Sequence, residues 1–333
     1  SMTRIRHPSD MSLVSIIIPC YNAQRWVAEA VDSCLAQTYA PIEIIVVDDG
    51  STDDSIGVLR SYGERIRLVQ QTHAGGSWAR NHGFALSQGE LIQYLDADDY
   101  LLPEKIATQV TLLQETGADV VYGDWRHEYC REEGTRELGP VNISDTHDDV
   151  LAALLGGWWT ANLTLLFRRT VVERAGGWDE SLAAGQDRDF FLSVALTGAG
   201  IRYQPGCHSI YRRYGNYTVS TANQRHWLEG HIQLLEKAEH KLLVKAHQDN
   251  MATYTQALAL SYFNLARISF HTDREKYRPL LQKALQLDPQ FRVPGSPIYR
   301  TFQRLLGFEA ADRLAQMKHS ITELLRSGHG YAI

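Results

Sequence analysis

Three carboxylates stand close together where an apolar stretch of the chain ends. Residues 91–95 read LIQYL, and Asp96, Asp98 and Asp99 follow almost directly. Carboxylates this close repel one another, so a solvated turn or a bound cation must offset the repulsion. One interpretation is a surface turn in which Asp99 caps the helix that begins near Pro103. The other is a site for Mg²⁺ or Mn²⁺, since both ions prefer carboxylate oxygens as ligands.

Polar residues also follow two earlier apolar stretches. The β-branched residues 14–18 end at Pro19-Cys20-Tyr21-Asn22, and residues 42–47 end at Asp48-Asp49-Gly50-Ser51. Both stretches have the length and composition of buried strands. The second polar group alone is also typical of a turn that feeds a helix, with Ser51 as its cap.

Helical patterns lie between these strands. Apolar residues recur at helical spacing over residues 22–37, 55–61 and 77–87, with Asn22 as the expected N-cap of the first helix. Alternating strands and helices predict a mainly parallel sheet with helices on both faces. Ligands bind beyond the carboxyl ends of the strands in such sheets. Three polar strand ends therefore predict one binding site.

Composition excludes several classes of protein. The 333 residues carry a formal net charge of -6, so no overall positive field draws the chain to nucleic acid. The four cysteines are scattered without a Cys-x-x-Cys pair, which argues against a structural zinc site or a disulfide framework. No apolar run approaches the ~20 residues that span a bilayer, and no signal-peptide pattern is present. We expect a cytoplasmic protein, with contact to the inner face of the membrane as an alternative.

Four segments of the chain resemble the inverting family 2 glycosyltransferases with the GT-A fold. They read SIIIPCYNAQRWVAEAVDSCLAQTY, IEIIVVDDGSTDDS, ARNHGFALSQGELIQYLDADD and RRTVVERAGGWDESLAAGQDRDFFLSVALTGAG, in the family's order over about residues 12–220. The resemblance implies a Rossmann-like α/β domain that binds a nucleotide-sugar donor, with a UDP-sugar as the expected choice. It also implies Mn²⁺ or Mg²⁺ as cofactor and hexosyl transfer with inversion at the anomeric carbon, in polysaccharide biosynthesis.

The donor-binding residues follow from that resemblance and from their chemistry. A carboxylate such as Asp49 suits the N–H of uracil, Tyr21 suits the face of the base, and Arg80 is a fixed multi-donor cation. A metal held by Asp98, with Asp96 directly or through water, would stabilise the departing diphosphate. The predicted donor site comprises Pro19, Tyr21, Asn22, Asp49, Arg80, Asp96 and Asp98.

An inverting transfer also needs a base for the acceptor hydroxyl. The family places it in a Glu-Asp pair after a Gly-Gly-aromatic-Asp-Glu segment, which matches residues 176–180 followed by Gln186 and Asp187. Asp187 is therefore the predicted base, although it equally suits the cap of the helix that follows. Asp189 is expected to be structural.

Two regions depart from the family pattern or carry no motif. Tyr214 stands where many relatives place a metal-binding His, which leaves Arg212 and Arg213 as candidates to bind diphosphate. Trp158 and Trp159 precede a predicted strand where relatives bind acceptor; stacking of one of them on a sugar ring and packing beneath the sheet are equal alternatives. Residues 124–149 lack periodicity and predict a mobile loop over the cleft.

The chain therefore divides into a tail (1–11), a GT-A catalytic domain (12–222) and a helical region (223–333) whose helices resemble one degenerate tetratricopeptide-type hairpin. The predicted function is metal-dependent transfer of a sugar to a saccharide or glycoconjugate, with a homodimer through the C-terminal helices. A non-catalytic scaffold should have lost Asp98 or Asp187. A nucleotidyltransferase should have a Gly-rich phosphate loop after its first strand, where this chain has Pro19-Cys20-Tyr21-Asn22.

Overall fold

The computed structural model describes residues 11–131, 133–214, 223–245, 250–294 and 297–313. They form two compact units, Ser1–Ala257 and Leu258–Ile333. The first unit runs past residue 222, where the sequence predicted a boundary. No helix in the described ranges is long and apolar enough to cross a membrane.

A mixed sheet of nine strands runs through the described part of the first unit, and its first four strands in chain order are parallel. The strands are β1 (Val14–Cys20), β2 (Ile42–Asp48), β3 (Arg67–Gln70), β4 (Leu91–Tyr94), β5 (Tyr100–Leu101), β6 (Val120–Cys130), β7 (Arg136–Asn142), β8 (Leu166–Arg168) and β9 (Ile201–Tyr214). Their order is β3-β2-β1-β4-β8-β6-β9-β5, with β7 beside β6. Strands β5, β7 and β8 run antiparallel to their neighbours.

Helices cover both faces of this sheet, as the sequence predicted. They are α1 (Val27–Leu35), α2 (Ser55–Arg60), α3 (Gly76–Leu86), α4 (Lys105–Thr116), α5 (Val150–Leu155), α6 (Arg169–Ala175), α7 (Gln186–Ala195) and α8 (Gln224–Lys245). Alternate residues of β1 face opposite layers, because strand side chains alternate. Ile16 and Ile18 pack in the cluster that contains Val27 of α1, whereas Ile17 meets Gly83 of α3. A methyl group at Gly83 would lie 2.5 Å from the Ile17 side chain, so only glycine allows α3 this close.

Three local expectations from the sequence were wrong. Asn22 caps no helix: its φ is 49°, α1 begins at Val27, and its side chain accepts a bond from the Thr52 N–H. Asp99 does not cap α4 either, because its carboxylate is buried and accepts the Arg212 N–H at 2.8 Å.

Residues 124–149 are not a mobile loop, because most of them belong to β6 and β7, which pair as an antiparallel hairpin. Charged and aromatic residues alternate along residues 124–129 of β6, a period of two that is itself typical of a strand.

The second unit is helical. It contains most of α9 (Met251–Thr272), together with α10 (Arg274–Leu287) and α11 (Pro297–Leu306). Asp312 is a buried centre of this unit: the Tyr277 and Tyr299 hydroxyls donate to it at 2.8 and 2.6 Å, and Arg267 lies 3.2 Å away.

Candidate functional site

The carboxyl ends of β1, β2 and β4 lie side by side at one edge of the sheet. Cys20 is in register with Asp48, and Ile17 with Tyr94. Beyond the strands, the Asp49 N–H donates to the Cys20 carbonyl at 2.8 Å. The structure thus brings the three polar strand ends together, because parallel strands deliver their carboxyl ends to the same edge.

Asp49 is buried and holds the loop that follows β3. Its carboxylate accepts bonds from Gln71 Nε2 (2.7 Å), the Ala74 N–H (2.8 Å) and the Gly75 N–H (2.8 Å), and His73 Nδ1 lies 2.9 Å from it. A carboxylate has about four lone-pair sites. A nucleobase N–H can therefore reach Asp49 only if one of these partners gives way, and base recognition by Asp49 stays a prediction.

Tyr21 lies beside this loop and is the exposed aromatic of the predicted donor site. Its ring stacks on His73 with 4.2 Å between centroids. Pro19 is paired within β1 opposite Val47, so it presents backbone rather than a flexible side chain to this edge. Asn22 fixes the turn by accepting the Thr52 N–H at 2.7 Å. His73 was missed by the sequence analysis, since only the fold brings it to Tyr21.

Arg80 lies at the centre of the site. Its Nη2 is 2.6 Å from Asp96 Oδ1 and 4.0 Å from Asp187 Oδ1, and its guanidinium lies 4.4 Å from the Trp178 ring centroid. Burial would lower the pKa of Arg80, but the negative charges of Asp96 and Asp187 raise it. A single cation thus joins the predicted metal-binding carboxylate to the predicted base.

Asp187 lies in the first turn of α7, one residue after that helix begins, and Gly185 occupies the N-cap position. Half of its side-chain surface (51%) faces solvent. Although this half stays in solvent, the protein around the other half removes enough hydration to raise the pKa of Asp187 to about 6; the charge of Arg80 lowers it and that of Asp96 raises it further. The carboxylate therefore accepts a proton near neutral pH, which is what a general base requires.

Residues 96–99 form a turn between β4 and β5, closed by a bond from the Asp99 N–H to the Asp96 carbonyl at 3.1 Å. Tyr214 donates its hydroxyl to Asp98 Oδ2 at 2.9 Å. Burial and then Asp96 raise the pKa of Asp98, while the Tyr214 bond lowers it. Burial, Asp98 and Asp96 raise the pKa of Asp99 well above its ordinary value. Negative charge is concentrated here beyond what the nearby cations neutralise.

The donor set fits Mg²⁺ or Mn²⁺. Arg80 donates to Asp96 Oδ1, and the Tyr214 hydroxyl donates to Asp98 Oδ2. The other two oxygens, Asp96 Oδ2 and Asp98 Oδ1, take no part in these two bonds. No group of three or more His, Cys, Asp or Glu side chains suited to a metal occurs within the ranges that the structure describes. Two carboxylates alone suit an ion that completes its coordination with substrate phosphate and water.

Arg212 is buried, and its guanidinium is bonded to protein groups. Its side chain lies 2.7 Å from Glu29 and 3.0 Å from Glu128, and donates to the Asp98 carbonyl at 2.9 Å. These contacts commit Arg212 to holding the 96–99 turn. Arg213 faces the other side of β9, with its guanidinium 5.1 Å from the Tyr211 ring centroid.

The segment that carries Asp187 is anchored from two sides. Asn81 of α3 donates to the Trp178 carbonyl and to Glu180, and accepts the Trp178 N–H. On the other side, Lys237 of α8 lies 2.7 Å from Asp179 and 2.8 Å from Asp189. The sequence offered no signal for Lys237, because it lies in a region that the sequence assigned to a separate helical part.

The two predicted acceptor tryptophans differ. Trp158 is half-buried against His147, Tyr122 and Phe191, with ring centroids 4.2, 5.3 and 6.2 Å away. Trp159 is 51% exposed and touches Trp125 with 5.4 Å between centroids. Of the pair, Trp159 offers a ring face to a ligand.

A family model described as Glycosyl transferase family 2 matches residues 15–150. The uncharacterized glycosyltransferase YibD of Escherichia coli K12 is 38% identical over 248 residues, which cover 67% of this chain and 70% of that protein. An uncharacterized glycosyltransferase of Rickettsia felis is 34% identical over 194 residues, 55% of this chain and 31% of that protein. The chain thus spans about a third of the length of this second relative.

A solved structure shares the fold. The crystal structure of S. aureus TarS 1-349 has a TM-score of 0.64 at 19% identity, over 93% of this chain and 92% of that one. The complex of TarS 1-349 with UDP-GlcNAc has a TM-score of 0.56 at 20% identity, over 84% of this chain and 88% of that one. Because the sequences are only 19% and 20% identical, the likeness concerns the fold alone, and it confirms the α/β fold predicted from the sequence.

Proposed function

Because the chain belongs to glycosyl transferase family 2, we propose that it transfers a sugar from a nucleotide-sugar donor to a hydroxyl group of a saccharide or glycoconjugate. The observation that carries this proposal is the grouping of Asp96, Arg80 and Asp187 at the carboxyl edge of the sheet. The UDP-GlcNAc complex of TarS, which shares the fold, supports a UDP-sugar as donor.

The donor half of the site comprises Tyr21, Asp49 and the 96–99 turn. Mg²⁺ or Mn²⁺ held by Asp98 and Asp96 would supply positive charge for the diphosphate that leaves. Arg80 provides a second, permanent positive charge at the same place. The contact of Arg80 with Asp96 orients the Asp96 carboxylate, and burial holds the Arg80 guanidinium in place.

Asp187 acts as the general base in this proposal. An acceptor hydroxyl that lies against its half-exposed carboxylate gives up its proton as its oxygen attacks the anomeric carbon. Attack from the side opposite the diphosphate inverts the configuration, and Arg80 stays close enough to restrain both Asp187 and Asp96. The expected reaction is therefore an inverting hexosyl transfer.

Product analysis tests this function. Purified protein is incubated with Mn²⁺, a panel of UDP-hexoses and oligosaccharide acceptors, and NMR reads the anomeric configuration of the product. We expect Asp187→Asn to bind UDP normally and to transfer sugar about 10²–10⁴-fold more slowly. Asp148→Asn, which changes an exposed carboxylate, is the matched control and should retain full rate.

The metal is tested by calorimetry of UDP binding. Asp98→Asn should abolish the part of UDP affinity that depends on Mn²⁺ and leave the fold intact. Unchanged UDP affinity in Mn²⁺ would remove Asp98 from the metal site. Protein that binds UDP but transfers nothing to any acceptor would support a non-catalytic scaffold instead. A homodimer through the C-terminal helices remains part of the proposal and is read by sedimentation equilibrium.

A further inference from the structure

One face of the β6–β9 pair carries a row of aromatic side chains. Trp125, His127 and Tyr129 occupy alternate positions of β6, and Tyr211 of β9 pairs with His127. Ring centroids are 4.9 Å apart for Trp125 and His127, 5.3 Å for His127 and Tyr211, and 5.4 Å for His127 and Tyr129. Trp159 joins the row through Trp125. We call these five residues the aromatic strip.

The opposite face of the same strands is charged and closed. Glu128 and Arg212, which are in register there, form a buried ion pair. Alternation along each strand therefore separates a structural face from the aromatic one. The aromatic face stays partly open, since Trp159 is 51% and Tyr129 43% exposed. Trp125 and Tyr211 pack in or against the core cluster, so the rings that remain available to a ligand are those of Trp159 and Tyr129 at the two ends of the strip.

The middle of the strip adjoins the catalytic cleft. Tyr211 directly precedes Arg212, whose backbone N–H donates to Asp99 Oδ1 at 2.8 Å in the 96–99 turn. At the Tyr129 end the strip reaches an open groove of about 710 Å³, lined by Tyr129, Gly139 and Arg213 among others. The row of rings thus runs along β6 and β9 beside the 96–99 turn.

Gly139 of β7 shapes the far end of the strip. A methyl group at this position would lie 2.9 Å from Tyr129 Cε2, so glycine allows the ring to lie close over the hairpin. Arg213 contacts the Tyr211 ring at 5.1 Å and adds a charged donor beside it. Rings that alternate with donors suit a ligand with flat apolar faces and polar edges.

Saccharide chains have this character, because the C–H faces of their rings pack on aromatic side chains while the hydroxyls bond to polar groups at the edge. The nucleotide half of the cleft lies at a separate place, around Tyr21 and Asp49. We propose that the aromatic strip binds the sugar units of an oligosaccharide acceptor and directs its terminal hydroxyl to Asp187. This proposal rests on the proposed function and names the acceptor class as a saccharide with several units.

Binding to a microarray of bacterial oligosaccharides tests the strip without any turnover. The full chain is applied with UDP and Mn²⁺, and the oligosaccharide that binds best is then titrated by calorimetry. The variants are Trp159→Ala and Tyr129→Ala, at opposite ends of the strip. Trp78→Ala is the matched control, since Trp78 is 49% exposed and lies on α3.

Each strip variant should lower oligosaccharide affinity about 2- to 12-fold, the range expected for one aromatic contact. The control should bind as the wild type does, and donor hydrolysis without acceptor should be the same in all four proteins. Unchanged affinity in both strip variants, or a wild type that binds no oligosaccharide, would overturn the proposal. A wild type that binds oligosaccharide but hydrolyses no donor would contradict the proposed function and leave the strip supported.

Discussion

Lys237 of α8 offers the sharpest test of how the base is positioned. Its Nζ lies 2.7 Å from Asp179 and 2.8 Å from Asp189, which flank Asp187 in the chain. On the same helix, Gly230 lies against the Ala184 carbonyl, where a methyl group would approach to 2.5 Å. Helix α8 therefore supports the segment that carries the base, and Lys237→Met removes the cation from that support.

The cost to stability follows from burial. Asp189 is 3% exposed and Lys237 29%, so the variant leaves a largely buried carboxylate without its partner. Such losses cost about 3–5 kcal/mol when both groups are buried. Since Lys237 is partly exposed, we expect the free energy of unfolding to fall by about 2 kcal/mol, somewhat below that range. Urea denaturation followed by circular dichroism measures it.

The effect on activity separates positioning from simple stabilisation. A base displaced by about 1 Å can lower the rate as much as 10²-fold, and we expect kcat to fall about tenfold while KM for the donor stays unchanged. Lys237→Arg should restore most of kcat, because it keeps the charge between Asp179 and Asp189. Lys241→Met is the control: Lys241 lies one turn on and donates to Ser193 at 3.2 Å.

A folded Lys237→Met enzyme with normal kcat would refute the positioning role, even if its stability were lower. Loss of kcat in the Lys241→Met control as well would point to general loosening of α8. The expected result is a fall in kcat for Lys237→Met alone, measured at a temperature where every variant is folded.

Three further outcomes are expected. The rate of transfer should rise with pH through about 6, because Asp187 with its raised pKa accepts protons only above that value, and the inflexion should vanish in Asp187→Asn. Truncation at residue 222 should cause aggregation, seen by light scattering, because it removes α8 with its buried Leu228 and Leu234. Burial lowers the pKa of Lys105 well below its usual value. Between that lowered pKa and about 10.4 the unfolded chain therefore binds more protons than the folded chain. The free energy of unfolding should rise with pH in this range by at most about 1.4 kcal/mol per pH unit. Lys105→Met should remove that slope in urea titrations at pH 7 and 9.

The strand ends were predictable because each is set by neighbours in sequence. An apolar run of five or six residues marks the strand, and the polar group that follows marks its carboxyl end. Parallel pairing then brings these ends together whatever the details of packing. Asp49, Asp96 and Asp98 could therefore be assigned to one edge, and the fold class with them.

The partners of these residues could not be predicted in the same way. Whether Asp49 has a lone pair for the nucleobase of the donor depends on Gln71 and on the N–H groups of the 71–75 loop. These groups approach Asp49 only after β3 has paired with β2. The hairpin of β6 and β7 was missed for a different reason. Residues 124–129 of β6 do alternate charged and aromatic side chains, but the charged, Gly- and Pro-containing residues 131–140 that follow are typical of a loop, and the composition of the whole segment decided the prediction.

The two halves of the cleft are built by different means, and this difference explains what a sequence can show. In the proposed nucleotide half, each strand end carries a short motif that is continuous in sequence, and backbone N–H groups of the 71–75 loop hold Asp49. The acceptor half depends on contacts between distant elements: Lys237 lies 48 residues from Asp189, and Tyr211 lies 84 from His127. Distant contacts leave no local pattern, and they can change without disturbing the strand ends. The proposed acceptor half of this chain therefore depends on two separate sets of distant contacts, the rings of the aromatic strip and the contacts of α8 with the segment that carries Asp187.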